Sequence, residues 1–133
     1  MSITKLADIE PLMVIARKSP SAALPQLLKL AGNEEWQTRE VAATAMVELG
    51  KRHSDAVLRE ASRWARNANP NVRRAASEGL RGIVQREPEK VRPVLEALRA
   101  DPDRYVQKSV ANVLRNASKK QLGFVLELKS IAP

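Results

Sequence analysis

Apolar residues recur along this chain at helical spacing. From Pro70 onward Val72, Ala76, Gly79, Leu80 and Ile83 fall on one side of a helix, and from Pro102 onward Val106, Val110, Val113, Leu114 and Ala117 do the same. Asn69-Pro70 and Asp101-Pro102 each place an N-capping side chain before a proline at the first helical position, where the missing N–H costs nothing. A helix is therefore predicted to start at each. An aromatic content of 3% among many Ala, Leu, Val, Arg and Glu residues also favours helix, because strands prefer aromatic and β-branched side chains.

Shifted by 34 residues, the chain overlays itself. Thr38-Arg39 falls on Val72-Arg73 and Val106-Gln107, Ala42 on Ala76 and Val110, Met46 on Leu80 and Leu114, and Leu49 on Ile83 and Ala117. The helices that follow keep the offset: Val57 maps to Val91 and Val125, and Trp64 to Leu98. In the other direction Leu12 maps to Met46, Ile15 to Leu49 and Leu27 to Ala61. This predicts four helix pairs, roughly 3–32, 33–66, 67–100 and 101–133, in a single repeat domain over 1–133. One pair buries only one face, so pairs must stack, and the expected fold class is all-α: a right-handed α-solenoid with one concave surface. The tetratricopeptide pattern is absent. Pro-x-Val-Arg-x-x-Ala-x-x-x-Leu at 70–80 instead resembles HEAT repeats.

Charge adds a direction. The formal net charge is +8, and it is uneven: residues 1–50 hold five Lys/Arg against six Asp/Glu, residues 51–133 eighteen against nine. This suggests a polyanionic partner such as double-stranded DNA for the C-terminal two thirds, although an acidic protein or anionic lipid would satisfy the same electrostatics. The absence of Cys and the single His53 leave neither a zinc site nor a Cys–His nucleophile, so no metal and no cofactor are expected. His53 reads as a turn residue, with Ser54 as N-cap of the next helix. Asp8 and Glu10 interrupt what a signal peptide would keep apolar, and no apolar run approaches the roughly 20 residues that span a bilayer. The expectation is a soluble cytoplasmic protein without membrane contact, and a homodimer that lengthens the groove stays open.

Two basic stripes stand out. Opposite the apolar side of the helix from Pro70, Arg74, Glu78 and Arg81 project outward, and the repeat stacks Arg74 on Lys108 and Arg81 on Arg115. Arg59, Arg63 and Arg66 form the second stripe, opposite Val57, Ala61 and Trp64. The second helix of each pair is expected to line the concave side, where these arginines would meet phosphates. The competing reading of both is a solvated face, with an i,i+4 pair between Arg74 and Glu78. Trp64 shares the register of Leu98 and is expected in the core. Trp36, at a helix start outside the apolar stripe and beside Glu34, Glu35 and Glu40, is a candidate to stack on a base or to close a helix junction.

The run from Asn69 to Arg81, NPNVRRAASEGLR, resembles the signature of bacterial DNA alkylation repair proteins with HEAT-like repeats. Leu95-Glu96-Ala97-Leu98, Asp101-Pro102, Tyr105-Val106 and Ser109 to Leu114 are similar to the next repeat of that family, and Trp36 with Arg39-Glu40-Val41-Ala42 to the preceding one. The resemblance covers roughly residues 34–117. It implies a metal-independent DNA glycosylase lineage acting on cationic alkylpurines, in which a carboxylate stabilises the developing sugar cation. Carried over residue by residue, it places Glu40 and Glu78 as catalytic acids, Trp36 as base-contacting aromatic, and Arg73, Arg74 and Arg81 on the nucleic acid. The chain is shorter than those enzymes, so the expectation is a DNA-binding module without full glycosylase activity on its own. The alternative is a scaffold that binds an acidic protein in the groove.

Overall fold

A computed structural model describes residues 2–132; Met1 and Pro133, the ends of the expected domain, lie outside the described residues. A short 3-10 turn, Leu6–Ile9, leads into α1 (Glu10–Lys18), followed by α2 (Pro20–Ala31), α3 (Trp36–Gly50), α4 (Ser54–Trp64), α5 (Pro70–Glu78), α6 (Ile83–Arg86), α7 (Pro88–Arg99), α8 (Arg104–Ala117) and α9 (Leu122–Ser130). The described residues contain no strand, and none of their helices is long and apolar enough to cross a membrane. The result is the right-handed solenoid of helix pairs that the period of 34 requires.

The helix starts follow the side chains available to cap them. Asn69 Oδ1 accepts from Asn71 N at 2.9 Å with Pro70 behind it, as predicted. The start predicted at Asp101-Pro102 moves by two residues: Asp103 is the cap, its Oδ1 accepting from Tyr105 N at 2.8 Å and Val106 N at 3.2 Å. Asn69 and Asp103 are one repeat apart, so the register, not the proline, marks the true start. Likewise His53, not Ser54, is the N-cap residue of α4, and its side chain makes no capping bond.

Asp101 belongs to a different device. Asn33, Asn67 and Asp101, each one repeat apart, accept the backbone N–H two residues on at 2.8, 2.8 and 2.9 Å and so fold the turn before each of α3, α5 and α8. Arg39, Arg73 and Gln107 then reach back six residues to the carbonyls of those same three residues at 2.9, 2.9 and 2.7 Å. A buried ion pair ties two repeats together, Arg73 Nε to Asp101 Oδ2 at 2.7 Å and Nη2 to Oδ1 at 3.3 Å.

One apolar core runs the length of the stack. Met13, Leu27, Met46, Leu49, Trp64, Leu80, Ile83, Leu95, Leu98, Leu114 and Leu128 are all essentially inaccessible, each contributing on the order of 1.5–3 kcal/mol by burial. Ile15 is exposed although it shares the register of Leu49, because no repeat among the described residues packs on that side of α1. The helix predicted through Ile83 breaks at Gly79–Gly82, where Leu80 N and Arg81 N bond three residues back instead of four. A Cβ on Gly79 would lie 2.9 Å from Met46 Cβ, so this glycine lets α5 approach α3.

Helices α1, α3, α5 and α8 form one layer, and α2, α4, α7 and α9 the other. Helix α5 packs intimately on both α3 and α8, whereas α4, α7 and α9 touch one another sparingly. From α3 to α8 the first layer is thus the more closely packed, as the inner side of a curved stack of helix pairs is. That reverses the expectation for the second helices. Arg59 and Arg63 on α4, the latter paired with Glu60 at 2.8 Å, and Arg66 in the turn after it are exposed on the outer layer, because Val57, Ala61 and Trp64 turn the other side of α4 to the core.

Candidate nucleic-acid interface

The inner layer carries a polar patch assembled from three repeats. Helix α3 presents Trp36 and, one turn on, Glu40. Helix α5 presents Arg74 and Glu78, the turn after it Arg81, and α8 presents Tyr105 and Ser109. Arg74 does not pair with Glu78 along its own helix; it crosses to the preceding repeat, its Nη2 lying 3.0 Å from Glu40 Oε2. Arg81 Nη2 stands 3.6 Å from Glu40 Oε1, and its Nη1 is 3.3 Å from Glu78 Oε1. Glu78 also accepts a short hydrogen bond from Ser109 Oγ, which fixes its second oxygen.

Tyr105 closes the patch. Its hydroxyl accepts from Arg39 Nη2 at 3.3 Å, and its ring centre lies 5.2 Å from the Arg74 guanidinium and 5.5 Å from that of Arg39. Both cations face the aromatic quadrupole, an attraction of about 0.5–2 kcal/mol each. Arg74 Nη1 is buried without a hydrogen-bond partner, a donor held in place but unspent.

The two acids differ in availability. Glu78 is nearly enclosed, with 13% of its side chain exposed and both oxygens occupied. Glu40 keeps 38% of its side chain exposed and opens onto the inner surface beside Trp36, which is 62% exposed. Trp64, by contrast, lies in the core as expected, its Nε1 donating to Glu60 Oε2 at 3.0 Å.

Arg73 stands apart from its neighbour Arg74. Its guanidinium is spent on Asp101 and on the carbonyls of Asn67 and Ala68, so the structure places it in the fold and not on the surface. Burial pushes the Asp101 carboxyl upward, but the Arg73 hydrogen bond and the Asp103 N–H outweigh it and hold the group below the ordinary carboxylate range. Lys108 and Arg115 are exposed on α8, Arg115 bonded to Asn112 Oδ1 at 2.9 Å. Among the described residues no three His, Asp or Glu groups gather to hold a metal ion.

Sequence reasoning missed Arg39, Tyr105 and Ser109. Arg39 was legible from its register with Arg73. Tyr105 was not, since its register partners are Gln37 and Asn71 and no repeat pattern singles it out.

Residues 40–115 match the family model described as HEAT repeats. The YhaZ protein of Bacillus subtilis (strain 168), itself uncharacterized, is 33% identical over 94 residues, which cover 64% of this chain and 26% of the relative. The structure of Pseudomonas fluorescens alkylpurine DNA glycosylase AlkC bound to DNA containing an abasic site analog superposes with a TM-score of 0.75 at 26% identity, over 92% of this chain and 35% of that one. AlkD2 from Streptococcus mutans superposes with a TM-score of 0.73 at 29% identity, over 91% of this chain and 61% of that one. This chain thus spans about a quarter of the Bacillus relative and a third of AlkC. It belongs to the HEAT-repeat family, in the DNA alkylation repair group of HEAT-like solenoids to which its likeness to AlkC and AlkD2 points.

Proposed function

We propose that this protein is a DNA-binding HEAT-repeat module of the alkylation-repair type, seating a duplex on the inner layer, and that by itself it lacks full glycosylase activity. The observation that carries this reading is Glu40: an accessible carboxylate held between Arg74 and Arg81, one helical turn from an exposed Trp36. An alkylated purine carries positive charge, which suits stacking on an indole and proximity to a carboxylate. A phosphate arriving at Arg74 or Arg81 competes with Glu40 for the guanidinium and frees that carboxylate. The solved structure of AlkC with an abasic-site analog supports duplex DNA as the partner class. We assign the acidic role to Glu40 over Glu78, whose oxygens are already engaged, and leave Arg73 to the fold.

The test is a binding titration with plain duplex and with duplex holding an abasic-site analog, followed at several salt concentrations. Tighter binding to the abasic duplex, with affinity falling steeply as salt rises, is expected. Binding to an acidic polypeptide with no duplex affinity at low salt would replace this reading with the protein scaffold. Release of base from methylated duplex that disappears in Glu40→Gln would establish a complete enzyme.

A further inference from the structure

The turns that end the inner helices lie together on one edge of the solenoid, opposite the edge built by Asn33, Asn67 and Asp101. Hydrogen bonds stitch them side by side. His53 Nε2 lies 2.8 Å from the Arg17 carbonyl, and Gln121 Nε2 makes the equivalent bond to the Gln85 carbonyl at 2.9 Å two repeats on. Arg86 Nη2 reaches the Gly50 carbonyl at 3.0 Å and Gln85 Nε2 the Asn116 carbonyl at 3.0 Å.

Two adjacent register positions on this edge are basic in nearly every repeat. The first reads Arg17, Lys51, Gln85, Lys119, and the second Lys18, Arg52, Arg86, Lys120. Glu10 and Glu48 partly neutralise Arg17 and Lys51 at 2.7 and 3.1 Å. Lys18, Arg52, Lys119 and Lys120 are exposed and make no ion pair among the described residues.

The helix dipole favours Arg17, Lys18 and Arg86, which sit in the last turns of α1 and α6, but Lys51, Arg52, Lys119 and Lys120 lie in the turns beyond the helix ends. Each pair stands between the negative end of one helix and the positive end of the next, where the two contributions oppose. The outer helices that start here, α2, α4, α7 and α9, also make no side-chain cap hydrogen bond; Pro20 and Pro88 remove the first N–H of α2 and α7, while the first N–H groups of α4 and α9 add donors to the same edge. A depression of about 300 Å³ lined by Arg17, Glu48, Leu49, Lys51, Arg52 and His53 opens between the first two turns, with Glu48 its one acid.

We propose that this edge is a second nucleic-acid contact, holding the phosphate backbone of a duplex beside the segment seated on the inner layer. The proposal rests on the DNA-binding reading above. Packed helices are about 8–10 Å apart, so the cations form a line of regular step that meets roughly every second or third of the charges spaced about 3.4 Å apart along one phosphodiester strand. Glu40 and Arg52 are 12 residues apart along α3 and the turn after it, about 18 Å at the helical rise. That exceeds the roughly 12 Å of a major groove, so the two contacts fall on separate backbone segments. The edge supplies affinity, and the inner patch supplies choice of site.

The test compares three proteins in duplex titrations over a range of salt: the unchanged chain, K18Q/R52Q/K120Q, and the charge-matched R59Q/R63Q/R66Q on the outer layer. The edge variant is expected to lower the slope of log affinity against log salt by about 2–3, since each phosphate contact contributes about 0.9. Its preference for the abasic duplex should persist, and the outer-layer variant should change the slope by less than about 1. Equal losses in the two variants, or an edge variant with an unchanged slope, would overturn the proposal while leaving the inner patch standing. No duplex binding by the unchanged chain would overturn the DNA reading and the edge with it. Edge-dependent binding to phosphatidylserine vesicles in that case would reassign the edge to a membrane surface.

Discussion

Arg73 and Asp101 face each other across two repeats in a two-point ion pair, 2.7 Å between Nε and Oδ2, with 18% and 7% of their side chains exposed. The same guanidinium bonds two carbonyls of its own turn, so it holds a turn and an inter-repeat junction at once. Arg73→Ala leaves a buried carboxylate uncompensated and is expected to destabilise by roughly 3–5 kcal/mol in urea unfolding. Arg59→Ala, at an exposed position on α4, should change stability by less than about 0.5 kcal/mol.

The pair also sets a pH dependence. Asp101 has a lowered pKa in the folded chain, so its stabilisation is present above the unfolded value of about 3.9 and is lost as pH falls through the folded value. Asp101→Asn should therefore be clearly less stable than the parent at pH 7, and the difference should close below about pH 4. A constant difference across that range in thermal unfolding would refute the assignment.

Two glycines should respond in opposite directions. Gly79→Ala drives a Cβ to 2.9 Å from Met46 Cβ and 3.1 Å from the Ala75 carbonyl, and should cost about 1–3 kcal/mol by overpacking. Gly123, in α9, has nothing within 4 Å of the added carbon. Gly123→Ala should raise stability by roughly 0.5–1 kcal/mol through helix propensity. Melting temperatures of the two variants check both.

Trp36 separates binding from folding. With 62% of its surface exposed, Trp36→Ala should shift stability by less than about 0.5 kcal/mol. If the indole stacks on a base or fills an abasic gap, the preference for abasic over plain duplex should fall by the roughly 1–3 kcal/mol that such stacking is worth. An unchanged preference would leave Trp36 to the helix junction.

The layering of this fold was legible in the sequence because each repeat must bury the same face. The offset of 34 residues aligns Met46, Leu80 and Leu114, and all three are inaccessible in the structure. The cap of α8 was misread: the Asp101-Pro102 dipeptide pointed to Asp101, whereas the cap is Asp103, one repeat after Asn69, and the proline lies in the turn that Asp101 builds. The break after Glu78 was not legible. It coincides with the close approach of Gly79 to Met46, which involves two helices at once.

By itself the sequence determined the helices, their period, the buried stripe and the surplus of cations, because these follow from local spacing and from the need to hide one face of every helix. It did not determine which layer packs more closely from α3 to α8, and so not on which side of the stack Arg59, Arg63 and Arg66 stand. Nor did it separate Arg73 from Arg74, adjacent in the chain but about 100° apart around the helix. One of them is spent on Asp101, and the other reaches Glu40 in the repeat before it. Only the stacking of repeats decides such partners, because an arginine's charge is fixed by its chemistry while the carboxylate within reach is fixed by how closely, and in which direction, neighbouring helices pack.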